Sequence, residues 1–237
     1  MNKEERSGSL TVVGLGPGRA GLITRETWSL LQGAEHVVLR TKIHPTVAAL
    51  DDAGISYETY DNRYEHAADF ETLYASIVRD LLSRAKQGES IVYAVPGSPL
   101  VAERTVVLLR EHAAEYPSVR LRILPGMSFV EVLYTRLGFD PVDGMMLLDA
   151  MDAMQLERAS RQNLIITQVW NPGIASDLKL ALMDLYGDEY PVTYVHNLAL
   201  SDESIRELPL YELDRQQDID HLTTLFLRRQ LEGEKLA

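Results

Sequence analysis

Between Leu10 and Leu124 short apolar, β-branched runs alternate with helical patterns, and this alternation most narrows the folds open to the chain. The strand-like runs are Leu10 to Leu15, His36 to Leu39, Tyr57 to Tyr60, Ser90 to Val95 and Val119 to Leu124. Between the first two lies a helical pattern from Arg25 to Gln32, with Thr24 as N-cap and Glu26 in the first turn. Pro45 opens a short helix through Ala53, and Val101 to Glu115 reads as another. Phe70, Leu73, Tyr74, Ile77, Val78, Leu81 and Leu82 recur at helical spacing until Gly88 ends the pattern. Such β/α alternation predicts a mainly parallel sheet covered by helices on both faces.

After Pro125-Gly126 the texture changes. A helix pattern from Ser128 to Leu137 runs into the breaker cluster G-F-D-P-V-D-G. Beyond it, strands are expected at Leu164 to Val169, Val192 to His196, Ser204 to Leu208 and Leu222 to Leu227. Helices are expected at Ala153 to Ser160, Ala175 to Tyr186 and Leu210 to Asp214. The last two strands are separated by little helix, which predicts an antiparallel or mixed sheet. The reading is two α/β domains, residues 9–124 and 125–228.

Composition limits the partners. The 237 residues are 46% hydrophobic, enough for a substantial core as one large domain or two modest ones. Thirty-five acidic against 23 basic residues give a formal net charge of −12, which disfavours nucleic acid and anionic membranes. No apolar run approaches the length of a bilayer span. The leading M-N-K-E-E-R-S-G-S is polar, without the apolar core of a secretory signal, and reads as a tail. The chain has no cysteine, so disulfides and thiolate metal sites are excluded, and a cytoplasmic protein is expected. His36, His44, His66, His112, His196 and His221 are scattered without metal-ligand spacing and read as surface or capping histidines.

Three strand-like runs end in glycine- and proline-rich turns: Gly14-Leu15-Gly16-Pro17-Gly18, Val95-Pro96-Gly97-Ser98-Pro99 and Pro125-Gly126-Met127-Ser128. Each alone is explained by strand-to-helix punctuation. Three on one rim predict a composite pocket, because ligands of open α/β sheets collect outside the carboxyl ends of the strands. A phosphate is disfavoured. No Lys-Ser or Lys-Thr pair follows any of these turns, and counting from Gly14 the sixth residue is Arg19 rather than the glycine of a dinucleotide fingerprint. The second strand also ends in Leu39-Arg40-Thr41, without the acid that would bind a ribose. The first loop is expected to offer backbone carbonyls and the flat Pro17 ring to a neutral or cationic ligand.

Together, G-L-G-P-G-R-A-G-L-I-T (Gly14 to Thr24), P-G-S-P-L-V-A (Pro96 to Ala102) and P-G-M-S-F (Pro125 to Phe129) resemble the tetrapyrrole (corrin and porphyrin) methylase family. The first motif is highly specific, the other two moderately so. The resemblance implies two α/β domains with S-adenosylmethionine in the cleft between them, and an adenosylmethionine-dependent methyltransferase. Carried over by position, it implies cofactor contacts at Pro17, Pro96, Gly97, Ser98, Val101, Ser128 and Phe129, and more loosely at Val169 and Leu208. Two positions depart from the family pattern. Its aspartates are Arg19 and Ser98 here.

Further stretches, including H-P-T-V from His44 and Y-D-N-R-Y-E from Tyr60, look like the methylase half of bacterial YabN-type proteins, which is fused there to a MazG-type nucleoside triphosphate pyrophosphohydrolase. The resemblance therefore carries an alternative, a domain that binds adenosylmethionine or a nucleotide and regulates such a pyrophosphohydrolase. A homodimer and a small-molecule or peptide methyl acceptor are expected, the acceptor itself being unread. No catalytic residue is assigned. Tyr93, Glu103, Arg104, Asp61 and Tyr64 are candidate polar helpers, although Glu103 and Arg104 read better as a charged first helical turn. Methyl transfer from a sulfonium depends mainly on positioning, so a missing catalytic dyad does not count against it.

Overall fold

A computed structural model describes residues 8–65, 67, 69–152, 156 and 161–229. The chain divides between Glu131 and Val132 into two compact units, beyond the turn at Pro125 where the residue texture changes.

The first unit is built on β1 (Ser9–Gly14), β2 (His36–Leu39), β3 (Glu58–Thr59), β4 (Ser90–Val95) and β5 (Arg120–Ile123), in the order β3-β2-β4-β1-β5. Every pairing is parallel. β1 and β4 lie inside the sheet and are almost wholly buried. Strands buried on both faces read as continuous apolar runs, and L-T-V-V and I-V-Y-A-V are such runs. On one face α4 (Phe70–Lys86) and α5 (Arg104–His112) pack Ile77, Leu81 and Leu109 against Leu10, Val12, Ile91 and Tyr93. On the other, α1 (Arg25–Gly33) and α2 (Val47–Asp52) pack Leu31, Val47 and Leu50 against Val13, Val37, Leu39 and Val92. Thr24 caps α1 by accepting from Thr27 N at 3.2 Å, and Asp69 caps α4 by accepting from Thr72 N at 2.8 Å.

Several expectations are corrected in detail. α5 begins at Arg104 rather than Val101, because Ala102 takes φ 53° and cannot continue a right-handed helix. α5 also stops at His112, and a 3-10 turn, Ala113–Glu115, follows. α3 (Asp61–Glu65) escapes the sequence reading, being too short to show a periodicity. Phe70 opens α4 but is 52% exposed, so it is no part of that helix's core stripe.

α6 (Phe129–Leu137) spans the division. The second unit holds β6 (Met145–Asp149), β7 (Asn163–Thr167), α7 (Pro172–Tyr186), β8 (Pro191–His196), β9 (Ser204–Pro209) and β10 (Thr223–Leu227). The sheet order is β6-β7-β10-β8-β9, with β6 and β7 parallel and the other pairs antiparallel. The sheet is thus mixed, as the spacing predicts. β10 inserts between β7 and β8, so the last two strands, though close in sequence, are not neighbours. β6 is a strand the sequence reading lacks, since M-M-L-L-D shows neither alternation nor β-branching. The stretch Leu210–Arg215 is a 3-10 helix. The helix expected over Ala153 to Ser160 lies outside the described residues apart from Leu156. Among the described residues, no helix is long and apolar enough to cross a membrane.

Candidate functional site

In the first unit, β1, β4 and β5 all point their carboxyl ends the same way, so the three glycine- and proline-rich turns share one rim. The turns are packed on one another. Leu15 N donates to Val95 O at 2.8 Å, Gly16 N to Gly97 O at 3.2 Å, and Gly97 N to Gly16 O at 2.9 Å. A Cβ at Gly14 would stand 2.3 Å from Gly97 O, and one at Gly126 would stand 3.3 Å from Gly14 Cα and 3.1 Å from Pro99 Cδ. The glycines therefore let three backbones meet on one rim.

The segment H-P-T closes the first loop from behind. Thr46, fully buried, donates its hydroxyl to Gly18 O at 2.6 Å, with Leu15 O also at 3.1 Å. His44 hydrogen-bonds the Gly16 backbone, and its Nδ1 accepts from Thr46 N at 3.3 Å. Burial pushes the His44 imidazole down to about 4, and the Gly16 hydrogen bond offsets only part of that. His44 is thus neutral at physiological pH; partly exposed, it caps the Thr46 N–H ahead of α2, as its reading as a capping residue expects, and it also braces the first loop. The expectation about loop carbonyls is corrected: those of Leu15, Gly16 and Gly18 are already engaged inside the protein. Pro17 remains partly exposed on the loop and Arg19 is exposed.

In the second loop Pro96, Gly97, Ser98 and Val101 are all partly exposed. The loop ends at Glu103, which is only 4% exposed. One carboxylate oxygen accepts from Thr105 N at 3.2 Å and Thr105 Oγ1 at 2.6 Å; the other meets Arg40 Nη1 at 2.7 Å. Arg40 Nε donates to Tyr64 OH at 2.9 Å. Glu103 is therefore a buried ion-paired cap, whereas Arg104 stays at the surface beside Glu71, as a first-turn residue would. Tyr93 is wholly buried, with its hydroxyl 3.1 Å from Thr105 Oγ1. Burial raises Tyr93 and Tyr64 above the usual phenol range, so both remain protonated at neutral pH. Asp61 accepts from Thr41 Oγ1 and from Lys42 N at 2.9 Å, holding the chain after β2.

In the third loop Ser128 is 1% exposed. Its Oγ accepts from Val130 N and donates to Glu131 Oε2, which also accepts from Ser128 N. This is the S-x-x-E capping box that opens α6, so the Ser128 hydroxyl is already committed there. Phe129, the first residue of α6, is partly exposed.

In the second unit the Val169 and Leu208 side chains belong to the core with Val192, Tyr194 and Leu225, and Leu208 is paired opposite Val192 in the sheet. Beside Val169 stands Gln168 at φ 64°, and Asn197 and Ala199 after β8 take φ 53° and 69°. Left-handed backbone at non-glycine residues costs energy and collects at functional loops. With Ala102, these strained residues are invisible to sequence reasoning. Arg40, His44 and Thr46 were also missed as parts of the site, although H-P-T stands out as a motif. Among the described residues, no group of three or more His, Asp or Glu side chains could hold a metal ion.

The family model described as Tetrapyrrole (Corrin/Porphyrin) Methylases matches residues 9–214. Among curated proteins the chain is 38% identical over 221 residues to the uncharacterized protein YabN of Bacillus subtilis (strain 168), covering 93% of this chain and 45% of that protein. It is 29% identical over 215 residues to the methyltransferase/ribosomally synthesized cyclic peptide lentinulin A precursor ledMA of Lentinula edodes, covering 82% of this chain and 49% of that protein. The chain thus spans about half the length of these relatives. Among solved structures, the methyltransferase CobJ superposes with a TM-score of 0.74 at 18% identity, covering 94% of this chain and 95% of that one, a likeness of fold.

Proposed function

The chain belongs to the tetrapyrrole (corrin/porphyrin) methylases, and from that membership we propose that it is an S-adenosylmethionine-dependent methyltransferase. The observation that carries the reading is the single rim on which the loops of Gly14, Gly97 and Gly126 pack together.

The residues present fit the cofactor. The three turns contain no lysine, Arg19 beside the first is exposed, and Arg40 at the exit of the second is paired with Glu103, so the rim favours a cationic sulfonium over a phosphate. At Gly97, φ is +64° and an added Cβ would meet no protein atom within 4 Å, so the loop leaves room on that side. Pro17, Pro96, Gly97, Ser98, Val101 and Phe129 would line the adenosyl group; Ser128 would contribute through its backbone. Ser98 stands where the family has aspartate, which places the burden of that loop on its backbone. The bound cofactor supplies an electrophilic methyl. The chain's part is to hold donor and acceptor in near-attack geometry, where proximity is worth roughly 7–11 kcal/mol of the barrier. The acceptor is proposed to be a small molecule or peptide, since a net charge of −12 opposes RNA.

Calorimetric titration tests this. Saturable heat with adenosylmethionine and none with nucleoside triphosphates is expected. Binding of triphosphates without adenosylmethionine would overturn the reading in favour of a nucleotide-binding regulatory domain.

A further inference from the structure

We propose that the connection from β2 to α2, residues 40–46, is the positioning element of this rim, holding both glycine-rich loops in place and setting cofactor affinity through them. The proposal rests on the adenosylmethionine reading above for its affinity arm alone.

The bridge between Gly16 and Gly97 fixes the first two loops relative to each other, but by itself it lets the pair shift together. The 40–46 segment pins each loop from its other side. Arg40 N donates to Ala94 O at 2.9 Å, tying the start of the segment to the end of β4. The Arg40 guanidinium reaches Glu103, where the second loop exits through the strained Ala102. At the far end of the segment, Thr46 takes the carbonyls of Leu15 and Gly18, and His44 takes Gly16. The middle is anchored in turn, because Asp61 accepts from both Thr41 Oγ1 and Lys42 N. One seven-residue stretch thus links two loops that lie far apart in sequence. Thr46 is the sharpest probe. It is buried, and removing its hydroxyl takes a donor from the carbonyls of two buried residues.

The experiment compares Thr46→Val, Thr46→Ser and His44→Leu with Leu81→Val, a core change in α4 remote from the loops and chosen for comparable loss of Tm. Calorimetry reads the Kd for adenosylmethionine, and amide hydrogen exchange reads Leu15, Gly16 and Gly97. Thr46→Val is expected to raise the Kd about tenfold, a loss of roughly 1.4 kcal/mol, and to speed exchange at those three amides. Thr46→Ser restores both, His44→Leu moves both in the same direction, and Leu81→Val moves neither. If Thr46→Val fails to fold, the comparison of His44→Leu with Leu81→Val decides. Loop exchange and affinity no different from Leu81→Val would overturn the proposal. If the unmodified protein does not bind adenosylmethionine, the functional reading falls, and loop exchange alone decides: faster exchange sustains the positioning role, unchanged exchange overturns it.

Discussion

The connections that leave the parallel sheet of the first unit and those that leave the mixed sheet of the second meet the same backbone demand with different residues. After β1 and β4, the left-handed positions fall on Gly16 at φ 74° and Gly97 at φ 64°. After β7 and β8, they fall on Gln168 at 64° and on Asn197 and Ala199 at 53° and 69°. Glycine populates that region freely, whereas a side chain raises the energy of holding it by about 1–2 kcal/mol. The first unit therefore places glycine where its three backbones touch and carries strain only farther along, at Ala102 with φ 53°, whereas the second carries strain directly after both strands. The contrast teaches that Gly14 and Gly126 answer a close approach of backbones, whereas a left-handed φ alone is met by glycine at Gly97 and by a strained side chain at Gln168.

The largest expected effect breaks the first side of the contrast. Gly14→Ala drives a Cβ to 2.3 Å from the Gly97 carbonyl, and backbone has no easy way to yield. A loss of roughly 3 kcal/mol or more is expected in urea denaturation, together with loss of cofactor binding. Next is Glu103→Ala, which strips the partner from Arg40. With the Arg40 side chain 24% exposed, about 2–3 kcal/mol is expected, below the figure for a fully buried pair, and Glu103→Gln should recover part of it by keeping the α5 cap.

A pH series sharpens the account of the first loop. His44 takes up a proton near pH 6.5 when unfolded and only near about 4 when folded. The unfolded chain binds more protons in that window, so stability is full above pH 6.5 and falls as pH drops toward 4. Up to about 3 kcal/mol of pH-dependent stability is at stake. Urea midpoints across pH 7 to 4 should show the decline, and His44→Gln should flatten it. The smallest effect tests the second side of the contrast. Ala199→Gly should stabilise by about 0.5–1 kcal/mol as relieved strain exceeds the added chain entropy, whereas Gly97→Ala should destabilise by about 1 kcal/mol. Destabilisation by Ala199→Gly, or no loss from Gly97→Ala, would erase the distinction between the two sheets.

What could be read from the residues follows the same division. The β/α order of the first unit was legible because strands such as β1 are buried on both faces and leave unbroken apolar runs. The rim was legible because backbone contact forces glycine. β6 was not, since Met145, Met146, Leu147 and Leu148 carry no period and the strand lies at a sheet edge. The start of α5 was misplaced because nothing about an alanine announces φ 53° at Ala102. The clamp at Thr46 was hidden for a different reason. Its acceptors lie 31 and 28 residues away in sequence, and a threonine before a helix ordinarily reads as a cap. Ser128 shows the converse, a residue that the family resemblance assigns to the cofactor while its own hydroxyl closes a capping box.

The central claim is that the rim of the first unit binds adenosylmethionine, and Pro17→Glu tests it most directly by replacing the flat ring of the first loop with a longer, charged side chain. Calorimetry with adenosylmethionine should show saturable binding to the unmodified protein and at least tenfold weaker binding to the variant, with the Tm of the two proteins nearly the same. Equal affinity in both would contradict the account, because the ligand would then lie elsewhere.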